Sequence, residues 1–254
     1  MRLAVLSDIH GNLPALEAVL DDIQAQGQPD AYMILGDLVA FCPWPAETLA
    51  VLRELPVALF LQGNTDRYVV TGARPTLPPV DSRGDWKAVP QKLSERDANF
   101  RWTVERLSYG DFEYLRDLPT FLDVDVPRYG RLAAVHANAV DDETFLRPSV
   151  TDDELRTYFD LDARLVLYGH THCPMDRVIG RGSARRRIIN DGSVGLPLDG
   201  DPCPAYALLD FKGGRCHASI HRVVYDRESV IAELKRVDHP AQKWVAGIIR
   251  KAAG

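Results

Sequence analysis

Five short apolar runs, each closing on a side chain able to bind a cation, constrain this chain more than any other feature. Leu3-Ala4-Val5-Leu6 runs into Ser7-Asp8-Ile9-His10-Gly11-Asn12, and Ala31-Tyr32-Met33-Ile34-Leu35 into Gly36-Asp37. Val57-Ala58-Leu59-Phe60-Leu61 runs into Gln62-Gly63-Asn64-Thr65-Asp66. Leu132-Ala133-Ala134-Val135 ends at His136, and Leu165-Val166-Leu167-Tyr168 at Gly169-His170-Thr171-His172. Chance accounts for one such ending, hardly for five.

Helical patterns separate the first three runs. Leu13, Leu16, Val19, Leu20 and Ile23 recur at helical spacing, with Asn12 placed as N-cap, Pro14 in the first turn, and Gly27 and Pro29 beyond the end. A second helix is predicted over about 45–54, stopped near Pro56. Strand and helix alternating with right-handed crossovers give parallel strands, and ligands bind at the carboxyl ends of such strands. Asp8, His10, Asp37, Asn64 and Asp66 all fall there. In extended backbone, residues two apart point the same way, so Asp8 and His10 are expected to converge from one strand end, with Gly11 turning the chain away.

Residues 67–118 read differently. Pro75, Pro78, Pro79 and Pro90 punctuate a polar stretch, and helical patterns follow around 91–107 and 112–118, which together suggest a cap over the loops. Tyr68, Trp86, Trp102 and Tyr109 are aromatic candidates for a cleft there, although helix packing explains Trp102 and Tyr109 more simply. Strand character returns at 121–126, and Thr151-Asp152-Asp153-Glu154 has the spacing of a capping box that starts a helix to about Phe159. Strands predicted at 176–180, 185–189, 205–211 and 216–224 suggest a second, largely antiparallel sheet, followed by helices at 227–237 and 243–249. Arg185-Arg186-Arg187 reads as a solvated edge strand.

With 254 residues, 46% of them hydrophobic, and no linker, charge block or repeat, the chain is expected to form a single domain over 1–254 with an insertion at about 67–118. A formal net charge of -6 sets the overall field against a polyanion. No stretch approaches the roughly 20 apolar residues of a membrane span, so a soluble, cytoplasmic protein is expected. Cys42, Cys173, Cys203 and Cys216 show no C-x-x-C spacing and read as reduced thiols, Cys173 directly following His172.

Asp8, His10, Asp37, Asn64, His136, His170 and His172 together offer seven oxygen and nitrogen donors. A single catalytic zinc uses three protein ligands plus water, so two ions are implied, and a set without thiolate suits Mn, Fe, Zn or Ni. Ser7 and Ser193 lie near the loops, but no Ser/His/Asp arrangement leaves a histidine free as general base; both serines are expected to support the backbone.

In this order, Asp8-x-His10, Gly36-Asp37, Gly63-Asn64-x-Asp66, His136 and Gly169-His170-Thr171-His172 resemble the successive motifs of the calcineurin-like metallophosphoesterases. The resemblance extends to Asn190-Asp191-Gly192-Ser193-Val194-Gly195, similar to the family's glycine-serine turn. It implies two facing mixed β-sheets flanked by α-helices, a four-layer α/β sandwich. It also implies two divalent or trivalent transition metal ions, one held by Asp8, His10, Asp37 and His172 and the other by Asp37, Asn64, His136 and His170, with Asp37 bridging. Catalysis would then fall to Asp37, Asn64, Asp66 and His136, through a water shared by both ions that attacks the phosphorus in line.

Many members carry a histidine, resembling a general acid, where this chain has Thr65. Threonine cannot be an imidazolium donor, so good leaving groups are favoured. The Thr65 form resembles the small prokaryotic phosphodiesterase branch, which implies a small phosphoester substrate, diesters ahead of monoesters. Arg67 is a candidate phosphate contact, although a surface or structural arginine explains it more simply. His217, His221 and His239 match no motif and read as structural or exposed. A non-catalytic scaffold on the same fold is the alternative class, and a nuclease the third, disfavoured by the acidic composition.

Overall fold

Alternation of side chains along the strands sets the architecture. The computed structural model describes residues 1–76 and 80–253, so the predicted breaks at Pro78 and Pro79 lie outside the described residues. The chain begins β1 (Arg2–Leu6), α1 (Leu13–Gln26), β2 (Ala31–Ile34), α2 (Pro45–Arg53), β3 (Ala58–Phe60) and α3 (Asn64–Thr71). Then follow α4 (Arg83–Val104), α5 (Tyr109–Asp117), β4 (Phe121–Val126), β5 (Gly130–Val135), α6 (Asp152–Tyr158), β6 (Leu165–Tyr168) and β7 (Met175–Ile179). The remainder is β8 (Arg186–Asn190), β9 (Ala205–Lys212), β10 (Arg215–Arg222), α7 (Arg227–Arg236) and α8 (Gln242–Lys251).

Two five-stranded mixed sheets result, ordered β10-β9-β1-β2-β3 and β4-β5-β6-β8-β7. In the first, β1, β2 and β3 are parallel, as the repeated strand–helix pattern predicts. In the second, β5, β6 and β8 are parallel, with β4 and β7 antiparallel on the flanks. The later strands therefore do not form a largely antiparallel sheet of their own. β9 pairs antiparallel with β1 and carries β10 with it, while β7 and β8 join β6. The physical reason lies in β1: with Ala4 and Leu6 buried on one face and Leu3 and Val5 on the other, its backbone groups are shut away from water, and β2 satisfies only one edge.

The same period of two builds the layers. Leu3, Val5, Met33 and Leu35 pack with Leu132, Ala134, Leu165 and Leu167 in a core between the sheets. Ala4, Leu6 and Ile34 face outward with Ala15, Leu16 and Val19 of α1. On the opposite outer face, Val135, Val166 and Tyr168 meet Leu155 of α6 and Phe159. The layers are thus helix, sheet, sheet, helix. The six parallel strands, β1, β2, β3, β5, β6 and β8, end on one side of the sandwich and bring their loops together.

Two local expectations change. α4 runs through Pro90, where a break is predicted; the ring forfeits one helical hydrogen bond, but it lies on an exposed part of the helix. β8 lies between β6 and β7 and is not an edge strand, and Arg187 at its start pairs with Asp176 at 2.5 Å.

Candidate metal centre

The loops after β1, β2, β3, β5 and β6 place their donors around one point. Asp8, His10, Asp37 and His172 each bring a ligand atom within 4.8 Å of the others, and Asp37, His136 and His170 do the same beside them. Asp37 belongs to both groups: Oδ2 lies 3.6 Å from His10 Nε2, and Oδ1 lies 3.4 Å from His136 Nε2. Asn64, the first residue of α3, sets Oδ1 at 2.9 Å from His136 Nε2 and 3.0 Å from His170 Nδ1. All seven residues expected to ligate therefore converge.

Their convergence does not come from extended backbone. Asp8, His10, Asp37, His170 and His172 have φ between +52° and +63°, in the left-handed region. For non-glycine residues this conformation costs about 1–2 kcal/mol each and persists only where surrounding contacts fix it. Here Ile9 and His10 N–H both donate to Asp37 O at 2.9 Å, and Gly11 N–H donates to Leu38 O at 3.0 Å. From the other sheet, Gly195 N–H donates to Asp8 O at 2.9 Å. The loops touch backbone to backbone, so a Cβ on Gly195 would lie 2.0 Å from Ile9 O.

Hydrogen bonds behind the donors decide which atoms face inward. His136 Nδ1 lies 2.8 Å from Leu35 O, His170 Nε2 lies 2.9 Å from Glu143 O, and His172 Nδ1 meets Leu196 O. A carbonyl only accepts, so each of these nitrogens carries the proton and the opposite ring nitrogen points a lone pair into the centre. His136 Nε2 and His170 Nδ1 thus both confront the Asn64 carbonyl oxygen, while His172 Nε2 lies 3.2 Å from Nε2 of His10, whose Nδ1 is buried without a partner. Acceptors facing acceptors repel unless a cation stands between them. This donor set fits transition-metal ions, with imidazole, carboxylate and amide oxygen and no thiolate.

The electrostatics agree. Burial, with His172 nearby, pushes His10 down to about 3, and burial with His136 pushes His170 to about 4, so both are neutral ligands at neutral pH. Burial opposes charge on Asp8, yet His172, His136 and His10 hold its carboxyl well below the usual range. Burial also opposes charge on His136 and His172, but Asp37 and Asp8 outweigh it and raise both, the mark of a field that attracts cations.

Several residues support the donors. Ser7 Oγ donates to Asp8 Oδ2 at 2.6 Å, and His170 N–H is shared between Oδ2 at 2.9 Å and Oδ1 at 3.2 Å, with Oδ1 turned toward His172 Nε2 at 3.4 Å. Ser193 Oγ donates to Asp8 O at 2.8 Å and accepts from Leu196 N–H at 2.9 Å. Both serines therefore hold backbone and first-loop geometry, as expected. Thr65 N–H donates to Asp37 Oδ1 at 2.8 Å, while its hydroxyl donates to Val39 O at 3.1 Å.

Two candidate site residues lie away from the donors. Asp66 is fully buried behind the centre, where its oxygens accept from Leu38, Val39 and Gly63 N–H at 2.9, 3.2 and 2.9 Å. It ties the loop after β2 to the start of α3, a positioning role. Burial and the neighbouring Asp37 push it up to about 7. Arg67 turns away from the donors, donating to Asp142 from Nε and Nη2 at 2.6 and 2.8 Å and to Glu143 at 2.6 Å. A guanidinium so close to two carboxylates is drawn to them before any phosphate. It orders the segment whose Glu143 carbonyl anchors His170.

Sequence reasoning missed those anchors, because the carbonyls of Leu35, Glu143 and Leu196 carry no residue-type signal. It also missed Asp191, whose two oxygens are buried without a partner and whose carboxyl burial, together with Asp8, raises far above its usual range. Cys173 Sγ points at Leu198 O at 3.6 Å. Tyr68 borders the centre, whereas Trp86 and Tyr109 are exposed and Trp102 packs on His239.

Comparison with known proteins agrees with this geometry. The sequence model of the calcineurin-like phosphoesterases matches residues 1–174. Over 237 residues, 88% of each chain, the protein is 30% identical to an uncharacterized protein of Methanocaldococcus jannaschii. A metallophosphoesterase structure from Sphaerobacter thermophilus is 26% identical with a TM-score of 0.74, covering 100% of this chain and 99% of that one. A hypothetical protein from Pyrococcus horikoshii has the same fold, at 21% identity and a TM-score of 0.80 over 99% and 98% of the two chains. With the family motifs in order and their donors gathered at one end of the two-sheet sandwich, this chain belongs to the calcineurin-like phosphoesterases.

Proposed function

We propose that the protein is a dinuclear metal-dependent phosphoester hydrolase that takes diesters ahead of monoesters. The observation that carries this reading is the meeting of the His136 and His170 lone pairs with the Asn64 carbonyl oxygen, acceptor against acceptor, beside the carboxylates of Asp8 and Asp37. Asp8, His10, Asp37 and His172 would hold one ion, and Asp37, Asn64, His136 and His170 the other. Bound there, Mn, Fe, Zn or Ni ions would supply Lewis acidity, activating a water and taking up charge on the phosphoryl oxygens.

The chain's own residues do the remaining work. Asp37 turns one oxygen to each set of donors, and Asn64 contributes an oxygen without charge, which keeps the centre net positive for an anionic ester. The Ser7 and Ser193 hydroxyls are committed to Asp8, so neither is a free nucleophile. Thr65 spends its hydroxyl on Val39 O and offers no proton to a leaving group, which favours esters of acidic alcohols. Among the described residues the cleft above the donors is bordered by no lysine or arginine, which suits a singly charged diester better than a doubly charged monoester.

Residues 1–254 are read as one domain, with 67–118 as a cap contributing Tyr68, Pro75 and Phe100 to this cleft. Among the described residues no helix is long and apolar enough to cross a membrane. The four cysteines are free, which fits a reducing, cytoplasmic setting. Protein loaded with Mn, Ni, Zn or Mg should hydrolyse bis(4-nitrophenyl) phosphate faster than 4-nitrophenyl phosphate. Inactivity on both with every metal refutes the hydrolase reading, and the reverse order refutes the diester preference.

A further inference from the structure

The donors form the floor of a cleft of about 240 Å³ whose walls are Phe41, Tyr68, Phe100, Phe145, Leu196 and Trp244. A second cavity of about 370 Å³ shares Phe41, Pro75, Phe100 and Trp244 with it and extends away from the donors. A largely aromatic corridor, bordered at its outer part by Lys92, Glu95 and Arg96, therefore leads outward from the centre between α4 and α8. Phe41 stands at its start, its ring 5.0 Å from that of His10, 5.1 Å from that of Trp244 and 6.0 Å from that of Phe100.

Three features mark this corridor as built for a ligand. Ala40 and Phe41 have φ of +79° and +76°, a conformation that bulky residues adopt only under constraint, and it is this that sets the Phe41 ring beside His10. Trp244 leaves 51% of its surface open at the rim, an exposed aromatic face facing an apolar gap. Asn99, on the wall of the outer cavity, is 2% exposed, and its Oδ1 is buried without a partner. A buried amide oxygen left unpaired at the edge of an aromatic cleft is what a ligand's hydrogen-bond donor would complete.

We propose that the organic arm of the substrate is a flat aromatic ring that lies in this corridor against Phe41, Phe100 and Trp244, with Asn99 at its outer edge. The inference rests on the phosphoesterase reading and names the class of ester that this centre takes. Offset and edge-to-face contacts suit a planar ring, and stacking on aromatic side chains is sequence-tolerant and strong. Two sources share this chemistry, a simple aryl group and a nucleobase. An amide presents an acceptor and a donor side by side, which matches the edge of a nucleobase and gives an aryl ring nothing.

The test uses metal-loaded protein, bis(4-nitrophenyl) phosphate as reporter, and non-hydrolysable phosphonate monoesters as competitive inhibitors. The inhibitors differ only in one arm: methyl, cyclohexylmethyl, benzyl or thymidine. The benzyl or thymidine compound should inhibit at least about tenfold more tightly than the methyl one, and more tightly than the equally apolar but puckered cyclohexylmethyl one. Trp244→Ala should collapse the benzyl-to-methyl ratio and Trp244→Phe should restore it. If thymidine is the tightest, Asn99→Ala should weaken it alone, which assigns the ring as a nucleobase; if benzyl is tightest, the ring is a simple aryl group. Equal inhibition by all four arms in an active enzyme overturns the aromatic arm and leaves the hydrolase reading standing. Failure to hydrolyse the reporter with any metal overturns both.

Discussion

Replacing Gly63 by alanine would place a methyl carbon 2.2 Å from both the backbone nitrogen and Oδ1 of Asp37. Non-bonded contact needs about 3.5 Å, so the loops after β2 and β3 must part by roughly 1.3 Å. Gly63 has an ordinary extended backbone, φ -92° and ψ 174°, so the penalty is steric alone. Overpacking of this kind costs about 1–3 kcal/mol, a fall in Tm of roughly 3–10 °C for a chain of this size. Metal binding should suffer more, because ligand distances tolerate only about 0.2 Å and Asp37 serves both sets of donors. A tenfold to hundredfold loss of Mn affinity is expected, a size typical of disturbed ligand support. Gly72, at the other end of α3, is the control: its φ is +76° but nothing lies within 4 Å of an added Cβ. Gly72→Ala should cost about 1 kcal/mol through backbone strain and leave metal affinity unchanged. Calorimetric titration with Mn and thermal unfolding would measure both variants. Wild-type affinity in Gly63→Ala, or equal losses in the two variants, would refute the steric argument.

Asp37→Asn should reduce metal content at both sites in elemental analysis, since the shared carboxylate loses its charge; wild-type stoichiometry would contradict bridging. Arg67→Ala should release the segment carrying Glu143 and loosen His170, weakening metal affinity several-fold, whereas a phosphate-binding arginine would raise KM and leave metal affinity alone. His239 is fully buried against Trp102, and burial, together with Arg106, holds it at about 4 instead of 6.5. The unfolded chain therefore takes up the proton first as pH falls, so the contribution of His239, up to about 3 kcal/mol, is whole above pH 6.5 and lost on the way down to about 4. Urea unfolding of wild type and His239→Phe at pH 7.5 and 5 should show a smaller pH effect in the variant; equal slopes would falsify the assignment.

Much of this was legible because strand burial and donor position are both written in residue type. Leu3 and Val5 alternate with Ala4 and Leu6, and that alternation alone separates the inter-sheet core from the helix-facing one. The seven donors follow apolar runs, so their meeting at one end follows from parallel strands. What was illegible is what residue type does not encode. Nothing in the Ala205–Lys212 run names β1 as its partner, since many apolar strands could fill that place. The left-handed backbone at Asp8 and His10 is imposed by contacts from the loops after β2 and β8, not by local preference. The partners of Arg67 were illegible for the same reason, since Asp142 and Glu143 lie about 75 positions away.

The left-handed ligand positions also bear on how such a centre can be lost. Asparagine and glycine settle into that backbone more easily than most residues, so Asp8, His10, Asp37, His170 or His172 could each drift to one of them and leave the loop paths intact. Gly63 and Gly195 have no such latitude, because any side chain there collides with the backbone opposite. Chemistry and shape therefore rest on different residues in this chain: the ligand positions can change one at a time while the glycines keep the loops in contact. A lineage retaining Gly63 and Gly195 with asparagine at the ligand positions would mark a centre that has become a binding surface.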